Sequence, residues 1–275
     1  MAEKSNDQVR QRHGDFIWYE LMTGDVETAK AFYGPLLGWT FEPHEGSGMD
    51  YWTFKASDTN VGGFMSLSEE MISGGARPMW VSYLLVDDVD RMAAAVTDHG
   101  GQVFMPPTDV PTVGRIAMVA DPQGAALYVM KPQPPEGADS GPSQSFAAYQ
   151  PAKGHCAWNE LVTADPEAAK RWYGQLFGFT QMDAIDMGPM GEYAIMHNAG
   201  QDFAFGAVMA KPEEIPASMW IYYFRVPDID TASQFVTANG GQIVNGPMDI
   251  PGGEFVLNGL DPQGALFALI GPRQE

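Results

Sequence analysis

Aromatic and branched residues fill a short run near the start of the chain, from Phe16 to Met22, and predict a β-strand. Side chains alternate between the two faces of a strand, so Phe16, Trp18, Glu20 and Met22 are expected to share one face. That face is therefore predicted to carry a single carboxylate among bulky apolar side chains.

The apolar period changes directly after this strand. Four apolar side chains recur at helical spacing, and these are Ala29, Phe32, Tyr33 and Leu36. Asp25 is placed to cap the start of a helix, and Gly38 is placed to end it. We therefore expect a helix between Asp25 and Gly38. Three short strands should follow, beginning near Trp39, Tyr51 and Val61.

The order of one strand, one helix and three strands recurs along the whole chain. A second module in the first half has its helix over Val89–Asp98. The second half repeats the first at an offset of 140 residues, so that Trp18-Tyr19-Glu20-Leu21 returns as Trp158-Asn159-Glu160-Leu161. The turn sequence Asp121-Pro122-Gln123-Gly124 returns as Asp261-Pro262-Gln263-Gly264. The sequence is that of a duplicated domain, each copy of which contains two modules.

The repeat sets the predicted domain boundaries. The stretch from Lys131 to Gln144 is rich in proline, glycine and serine and has no apolar period, which is typical of a linker. We predict an N-terminal arm over 1–14, a first domain over 15–131, a linker over 132–151 and a second domain over 152–272.

The charge and composition of the chain limit the kinds of molecule that it is expected to bind. The 15 basic and 35 acidic residues give a formal net charge of −20, which disfavours binding to nucleic acid or to an anionic membrane. The acidity could serve solubility, or it could attract a cationic ligand to a cleft. No apolar run is long enough to span a bilayer, the start has no signal-peptide core, and Cys156 is the single cysteine. We expect a cytoplasmic protein, a monomer or homodimer, in which Cys156 is a buried thiol.

The four modules, the helix motif Phe32-Tyr33-Gly34 and the Asp-Pro-Gln-Gly turn resemble the vicinal oxygen chelate superfamily. That superfamily includes glyoxalases, bleomycin-resistance proteins and extradiol dioxygenases. The resemblance is greatest to its two-domain branch labelled glyoxalase-like or hydroxylase, whose halves open with W-x-E-L-x-T-x-D. It implies an α+β fold of tandem glyoxalase-like domains, in which four βαβββ modules form two eight-stranded cups with the cavity inside.

Metal-dependent members of that superfamily bind a metal ion through side chains at fixed positions of the cup. The resemblance places these positions at Trp18, Val81 and Tyr128 in the first half and at Trp158, Ile221 and Ala268 in the second half. None of the six is an imidazole or a carboxylate, the donors that divalent metals need at such positions. The resemblance therefore implies that the metal centre is absent from both halves, and we predict no cofactor.

The two glutamates Glu20 and Glu160 are the leading catalytic candidates. Each has a tryptophan two residues earlier on the same strand face, and the resemblance places that face inside the cup. A carboxylate beside an indole in a partly dry cavity should have a raised pKa, which suits proton transfer. It could also bind a cationic ligand with help from the indole. Alternatively, each glutamate satisfies buried backbone N–H groups or pairs with an arginine, and then its role is structural.

Further side chains are expected to contact a ligand. In the second half, Glu160 could form an ion pair with Arg225 inside the cup, which would leave Glu20 the less neutralised carboxylate. Of the five histidines, only His197 lies on a strand at the edge of a cup. The candidate ligand-binding residues are Trp18, Tyr83, Tyr128, Trp158, His197, Tyr223 and Arg225.

Two functions remain open from the sequence. The first is a protein that binds a small organic molecule, either aromatic or cationic, in cups lined by tryptophan and glutamate. The second is an enzyme of the lyase, glyoxalase or hydroxylase type, with Glu20 or Glu160 as general base. The sequence alone does not decide between them.

Overall fold

The computed structural model describes residues 11–44, 50–133, 141–147, 152–213 and 215–274. The predicted arm over 1–14 and the predicted linker over 132–151 lie partly outside these ranges, so both boundaries stay predictions.

The first half contains the elements of two modules in the predicted order. They are β1 Phe16–Thr23, α1 Val26–Leu37, β2 Trp39–Pro43, β3 Tyr51–Ala56, β4 Thr59–Ser66, α2 Glu69–Ser73, β5 Met79–Leu85, α3 Val89–Asp98, β6 Gln102–Val110, β7 Gly114–Ala120 and β8 Ala126–Pro132. The short helix α2 was not predicted, because its five residues show no apolar period and none of them is buried.

The second half repeats this order. Its elements are β9 Cys156–Thr163, α4 Pro166–Phe177, β10 Phe179–Asp186, a 3-10 turn Gly188–Met190, β11 Glu192–Asn198, β12 Gly206–Ala210, β13 Met219–Arg225, α5 Ile229–Ala238, β14 Gln242–Ile250, β15 Glu254–Leu260 and β16 Leu266–Gly271.

The predicted start and end of α1 are confirmed. The Asp25 side chain accepts a hydrogen bond from the backbone N–H of Thr28 at 3.1 Å, which satisfies one of the free N–H groups at the helix start. Gly38 ends the helix with φ +73°, in the left-handed region that glycine adopts without strain.

Each half forms one eight-stranded sheet, with the strand orders β2-β3-β4-β1-β5-β8-β7-β6 and β10-β11-β12-β9-β13-β16-β15-β14. The two modules of a half meet where their first strands pair antiparallel, β1 with β5 and β9 with β13. The predicted α+β architecture of tandem domains and four βαβββ modules is therefore confirmed.

The helices lie between the two sheets, and one continuous apolar core joins both halves. Trp80 and Trp220 belong to this core, and their indole N–H groups donate to the hydroxyls of Tyr33 at 3.1 Å and Tyr173 at 3.0 Å. The opposite face of each sheet points away from the other half. We call these faces the first cup, which contains Glu20, and the second cup, which contains Glu160.

Each half also contacts the helix start of the other through its Asp-Pro-Gln-Gly turn. The Gln263 side chain accepts from the backbone N–H of Asp25 at 2.8 Å and donates to the Asp25 carbonyl at 2.9 Å. Gln123 does the same to Asp165, at 2.6 Å and 2.9 Å. The N-cap residues of α1 and α4 are therefore each held by a glutamine of the opposite half.

One face assignment in β1 was wrong. Phe16 packs in the core between the sheets, and Ile17 instead lies in the cluster of the first cup. The cause is a shift in the pairing of β1 with β5 between Phe16 and Trp18, because a bulge interrupts the alternation of side chains. Beyond the bulge, Trp18 and Met22 face the first cup as predicted.

Candidate functional site

Glu20 lies at the centre of the first cup, on β1 beside Val81 of β5. Only 1% of its surface is exposed. The Tyr83 hydroxyl donates to Glu20 Oε2 at 2.9 Å. Glu20 Oε1 is buried and has no hydrogen-bond partner among the described residues. A buried carboxylate oxygen without a partner is energetically costly, and such atoms call for an explanation.

Burial dominates the protonation of Glu20. It raises the pKa of the carboxyl group to about 7, because the charged form loses its hydration, and the hydroxyls of Tyr83 and Tyr51 oppose the rise only in part. A carboxyl group with a pKa near neutrality can both accept and return a proton. The chemistry that the sequence suggested for Glu20 is therefore available to it.

Tyr51 connects Trp18 to this carboxylate, and sequence reasoning missed it. The Trp18 indole N–H donates to the Tyr51 hydroxyl oxygen at 2.9 Å. The Tyr51 hydroxyl lies near enough to lower the pKa of Glu20, but it forms no hydrogen bond to Glu20 Oε1 in the described structure. Tyr128 packs against Tyr83, the other tyrosine next to Glu20. Their rings stack with centroids 4.5 Å apart and an angle of 10° between the planes.

Glu160 has the same type of surroundings in the second cup but is fully paired. The hydroxyls of Tyr193 and Tyr223 donate to its two oxygens at 2.8 Å and 3.0 Å. The Trp158 indole N–H donates to the Tyr193 hydroxyl oxygen at 2.8 Å. Burial raises the pKa of Glu160 as well, against the effect of both hydroxyls.

The expected ion pair between Glu160 and Arg225 is wrong. Glu160 lies beside Ile221 on β13, four residues from Arg225, and four residues of strand span about 13 Å. Arg225 instead pairs with Glu254, its Nη2 lying 3.0 Å from Glu254 Oε2. Glu20 is still the less satisfied of the two carboxylates, but the reason is its unpartnered Oε1.

His197 takes no part in this arrangement. Its ring Nδ1 lies 2.8 Å from the carbonyl oxygen of Gln201, so the contact made by this nitrogen fixes the loop after β11. Its suggested role in ligand binding stays a prediction.

The apolar linings of the two cups differ in their content of methionine, a contrast that was not predicted from the sequence. Among the described residues, seven methionines pack in the first cup, and these are Met22, Met65, Met71, Met79, Met105, Met118 and Met130. Two, Met209 and Met219, pack in the second. Methionine is flexible and polarisable, and it adapts to ligands of irregular shape. The repeat could have revealed this contrast, because Met22 and Met130 correspond to Val162 and Ile270 at the offset of 140.

Comparison with protein families decides the ancestry of the chain. The family model described as Glyoxalase/Bleomycin resistance protein/Dioxygenase superfamily matches residues 16–129 and 154–269. The chain belongs to this superfamily.

Relatives and solved structures agree with this membership. The chain is 33% identical over 270 residues to the "Putative glyoxylase CFP32" of Mycobacterium bovis, covering 96% of this chain and 97% of that protein. It is 28% identical to the anthracycline biosynthesis protein DnrV of Streptomyces peucetius, covering 94% and 93% of the two chains. The Mn(II)-bound glyoxalase from Novosphingobium aromaticivorans has the same fold, with a TM-score of 0.63 at 18% identity over 96% of this chain and 84% of that one.

The metal centre of the superfamily can be tested against the donors present. Val81 and Ile221 have no donor atom, and both are buried. Trp18 and Trp158 offer only indole N–H groups, which already donate to tyrosines. No group of three or more histidine, cysteine, aspartate or glutamate side chains that could hold a metal ion occurs in the described part of the chain. These residues do not fit a divalent metal, and a metal-free site stays a prediction.

A cavity of about 590 Å³ lies elsewhere, in the seam between the halves. Phe16, Ser143, Lys153, His155 and Phe205 are among the residues that line it. None of the candidate site residues lines it, and its lining residues Ala147 and Ala152 border a stretch of sequence outside the described ranges, so we place no site there. Within the described ranges, no helix is long and apolar enough to cross a membrane.

Proposed function

We propose that this protein binds a small organic molecule in its cups and does so without a metal ion, with the first cup as the main site. The observation that carries the proposal is Glu20 Oε1, a buried acceptor without a partner in the described structure. A ligand that presents a hydroxyl, N–H or cationic group would supply the missing hydrogen bond. Hydrogen bonds to charged groups contribute more than those between neutral groups.

The lining of the first cup favours an apolar or aromatic body for this ligand. Tyr83 and Tyr128 offer stacked rings, and the seven methionines can adapt to its outline. A cationic ligand would also gain from the Trp18 indole beside the carboxylate. The expected ligand is thus largely apolar, with one donor directed at Glu20.

Entry to the first cup requires little rearrangement of the fold. Met71, on the short helix α2, packs over the cluster of the first cup, whereas no residue of α2 is buried. Ile72, its neighbour, is 44% exposed. Displacing α2 would therefore cost few buried contacts, and such weakly held segments are typical of ligand entry.

An experiment on the purified protein tests this proposal. Metal content is measured first, and a panel of aromatic amines, phenols and matched hydrocarbons is then screened by thermal shift with and without EDTA. We expect no stoichiometric metal, no effect of EDTA, and stabilisation by donor-bearing compounds that the Glu20→Gln variant loses. Stoichiometric metal, or equal stabilisation of the Glu20→Gln variant, would contradict the proposal.

An enzyme is the second candidate, and the pKa of about 7 at Glu20 favours it. In this case Glu20 acts as a general base that removes a proton from a bound substrate and returns it to the product. Analysis of the screened compounds for turnover by mass spectrometry separates the two functions. An enzyme converts a ligand and loses this conversion in Glu20→Gln, whereas a binding protein returns the ligand unchanged.

A further inference from the structure

The second cup contains an ion pair at positions whose equivalents in the first cup are uncharged. Arg225 and Glu254 occupy the positions at which the repeat places Leu85 and Gly114 in the first half. Both terminal nitrogens of Arg225 are bound to the carboxylate of Glu254. The remaining guanidinium nitrogen, Arg225 Nε, is buried and has no partner within the described ranges. It is therefore a donor for which a ligand could supply the acceptor.

The surroundings of this donor are apolar. Arg225 follows Tyr223 on the same face of β13, and it lies beside Ile270 of β16. Ile270, Val256 and Tyr223 all belong to the apolar cluster of the second cup. A molecule that reaches Arg225 Nε would have its remaining surface against these side chains.

The charges of the second cup favour a neutral acceptor. Glu254 already offsets the charge of Arg225, and Glu160 is a second buried carboxyl group in the same cup. A ligand carboxylate would add negative charge to a protein whose net charge is −20. A carbonyl oxygen can accept the same hydrogen bond without this repulsion.

The ion pair can also be reached from solvent. The side chains of Arg225 and Glu254 retain 14% and 30% of their exposed surface. The pair therefore lies at the solvent-facing edge of the second cup, with Nε on its buried side.

We infer that the second cup is a separate binding site for a small apolar molecule that carries a carbonyl group, whose oxygen accepts a hydrogen bond from Arg225 Nε. The two cups then have opposite hydrogen-bonding character. In the first cup Glu20 accepts from the ligand, and in the second cup Arg225 donates to it. This inference rests on Arg225 and is independent of the role proposed for Glu20.

Two probes of matched shape test the inference, acetophenone and ethylbenzene, which differ in one carbonyl oxygen. Binding is followed by NMR through the indole ¹H–¹⁵N signals of Trp158 and Trp18, assigned with the variants Trp158→Phe and Trp18→Phe. We expect acetophenone to shift the Trp158 signal saturably and to bind about tenfold more tightly than ethylbenzene. The Trp18 signal then serves as an internal control for the first cup.

A double variant that copies the first cup, Arg225→Leu with Glu254→Gly, should bring the affinity ratio of the two probes close to one. Arg225→Met with Glu254→Gln keeps the length of both side chains but leaves no donor at position 225, and it should have the same effect if the first double variant does not fold. Equal affinities in the unmodified protein, no saturable shift of Trp158, or an unchanged ratio in the variants would overturn the inference. Any of these results would leave the proposed binding of a ligand at Glu20 in the first cup unchanged.

Discussion

Tyr19 and Asn159 occupy the same position of the two repeats and contact each other. The Tyr19 hydroxyl donates to Asn159 Oδ1 at 2.8 Å, and both side chains are fully buried. Ser82 and Tyr222 are related in the same way, with their hydroxyl oxygens 3.0 Å apart. Equivalent residues can touch only at the axis that relates the two halves. At both places the axis has a tyrosine on one side and a smaller polar residue on the other.

This pairing of a large with a small side chain predicts how exchanging the residues at positions 19 and 159 changes stability. Asn159→Tyr would place two tyrosines at the axis and should destabilise the protein by about 2 kcal/mol or more, through overpacking and a lost hydrogen bond. The double variant Tyr19→Asn with Asn159→Tyr restores one large and one small residue, and it should recover part of this loss. Urea unfolding of the unmodified protein, the two single variants Tyr19→Asn and Asn159→Tyr, and the double variant measures the coupling. Strictly additive effects would contradict it.

Glu20 should make stability depend on pH. Its pKa is 4.5 in an unfolded chain and about 7 in the folded protein, so the folded state retains the proton longer. Stability from this group is complete below pH 4.5 and is lost as the pH rises through 7, by on the order of 3 kcal/mol. Free energies of unfolding of the unmodified protein and of Glu20→Gln, measured from pH 4 to 8.5, test this. Their difference isolates Glu20, and a difference that does not change with pH would refute the prediction.

Tyr193 should hold down the pKa of Glu160, since its hydroxyl donates to the charged carboxylate. Tyr193→Phe removes this hydrogen bond and also leaves the Trp158 indole N–H without its partner. We expect the pKa of Glu160 to rise and stability to fall by about 1–2 kcal/mol. Titration of the carboxyl ¹³C signal measures the first effect. Tyr223→Phe is the matched control, because it should raise the same pKa and leave the hydrogen bond from the Trp158 indole to Tyr193 in place.

Gln123 and Gln263 should contribute equally to the stability of the whole protein. Each makes two hydrogen bonds to the backbone of the opposite half. Replacement of either by alanine should cost about 1–2 kcal/mol, and the two costs should add because the sites are separate. Thermal unfolding measures both, with the exposed Gln102→Ala as control. Loss of stability in only one of the two variants would show that the contacts are not equivalent.

Much of the fold could be predicted from the sequence because the duplication shows each pattern twice. The caps Asp25 and Gly38 and the helix over Val89–Asp98 were predicted at the observed positions. Phe16 was assigned to the wrong face, because a bulge depends on the pairing of two distant strands. The helix α2 has no periodic pattern from which it could be predicted.

The site was predictable only in part. Glu20 and Glu160 could be singled out because the repeat places each beside a tryptophan on one strand. Tyr51 and Tyr193 could not, since the chain brings them to the carboxylates from a distant strand, in the segment where the two halves differ in length. The partner of Arg225 was missed for a related reason. Sharing a strand face does not specify which of several carboxylates lies within reach along that strand.

The Asp-Pro-Gln-Gly turns make each half of the protein depend on the other. Each turn closes a hairpin in its own half, while its glutamine completes the start of a helix in the other half. A half separated from its partner would thus lack the two glutamine hydrogen bonds at the start of its own helix, α1 or α4. These hydrogen bonds go to backbone groups, so each half needs only the glutamine side chain of the other half at this place. The start of each of these helices is thus completed by one residue that lies 42 or 238 positions away in the sequence, beyond the predicted linker.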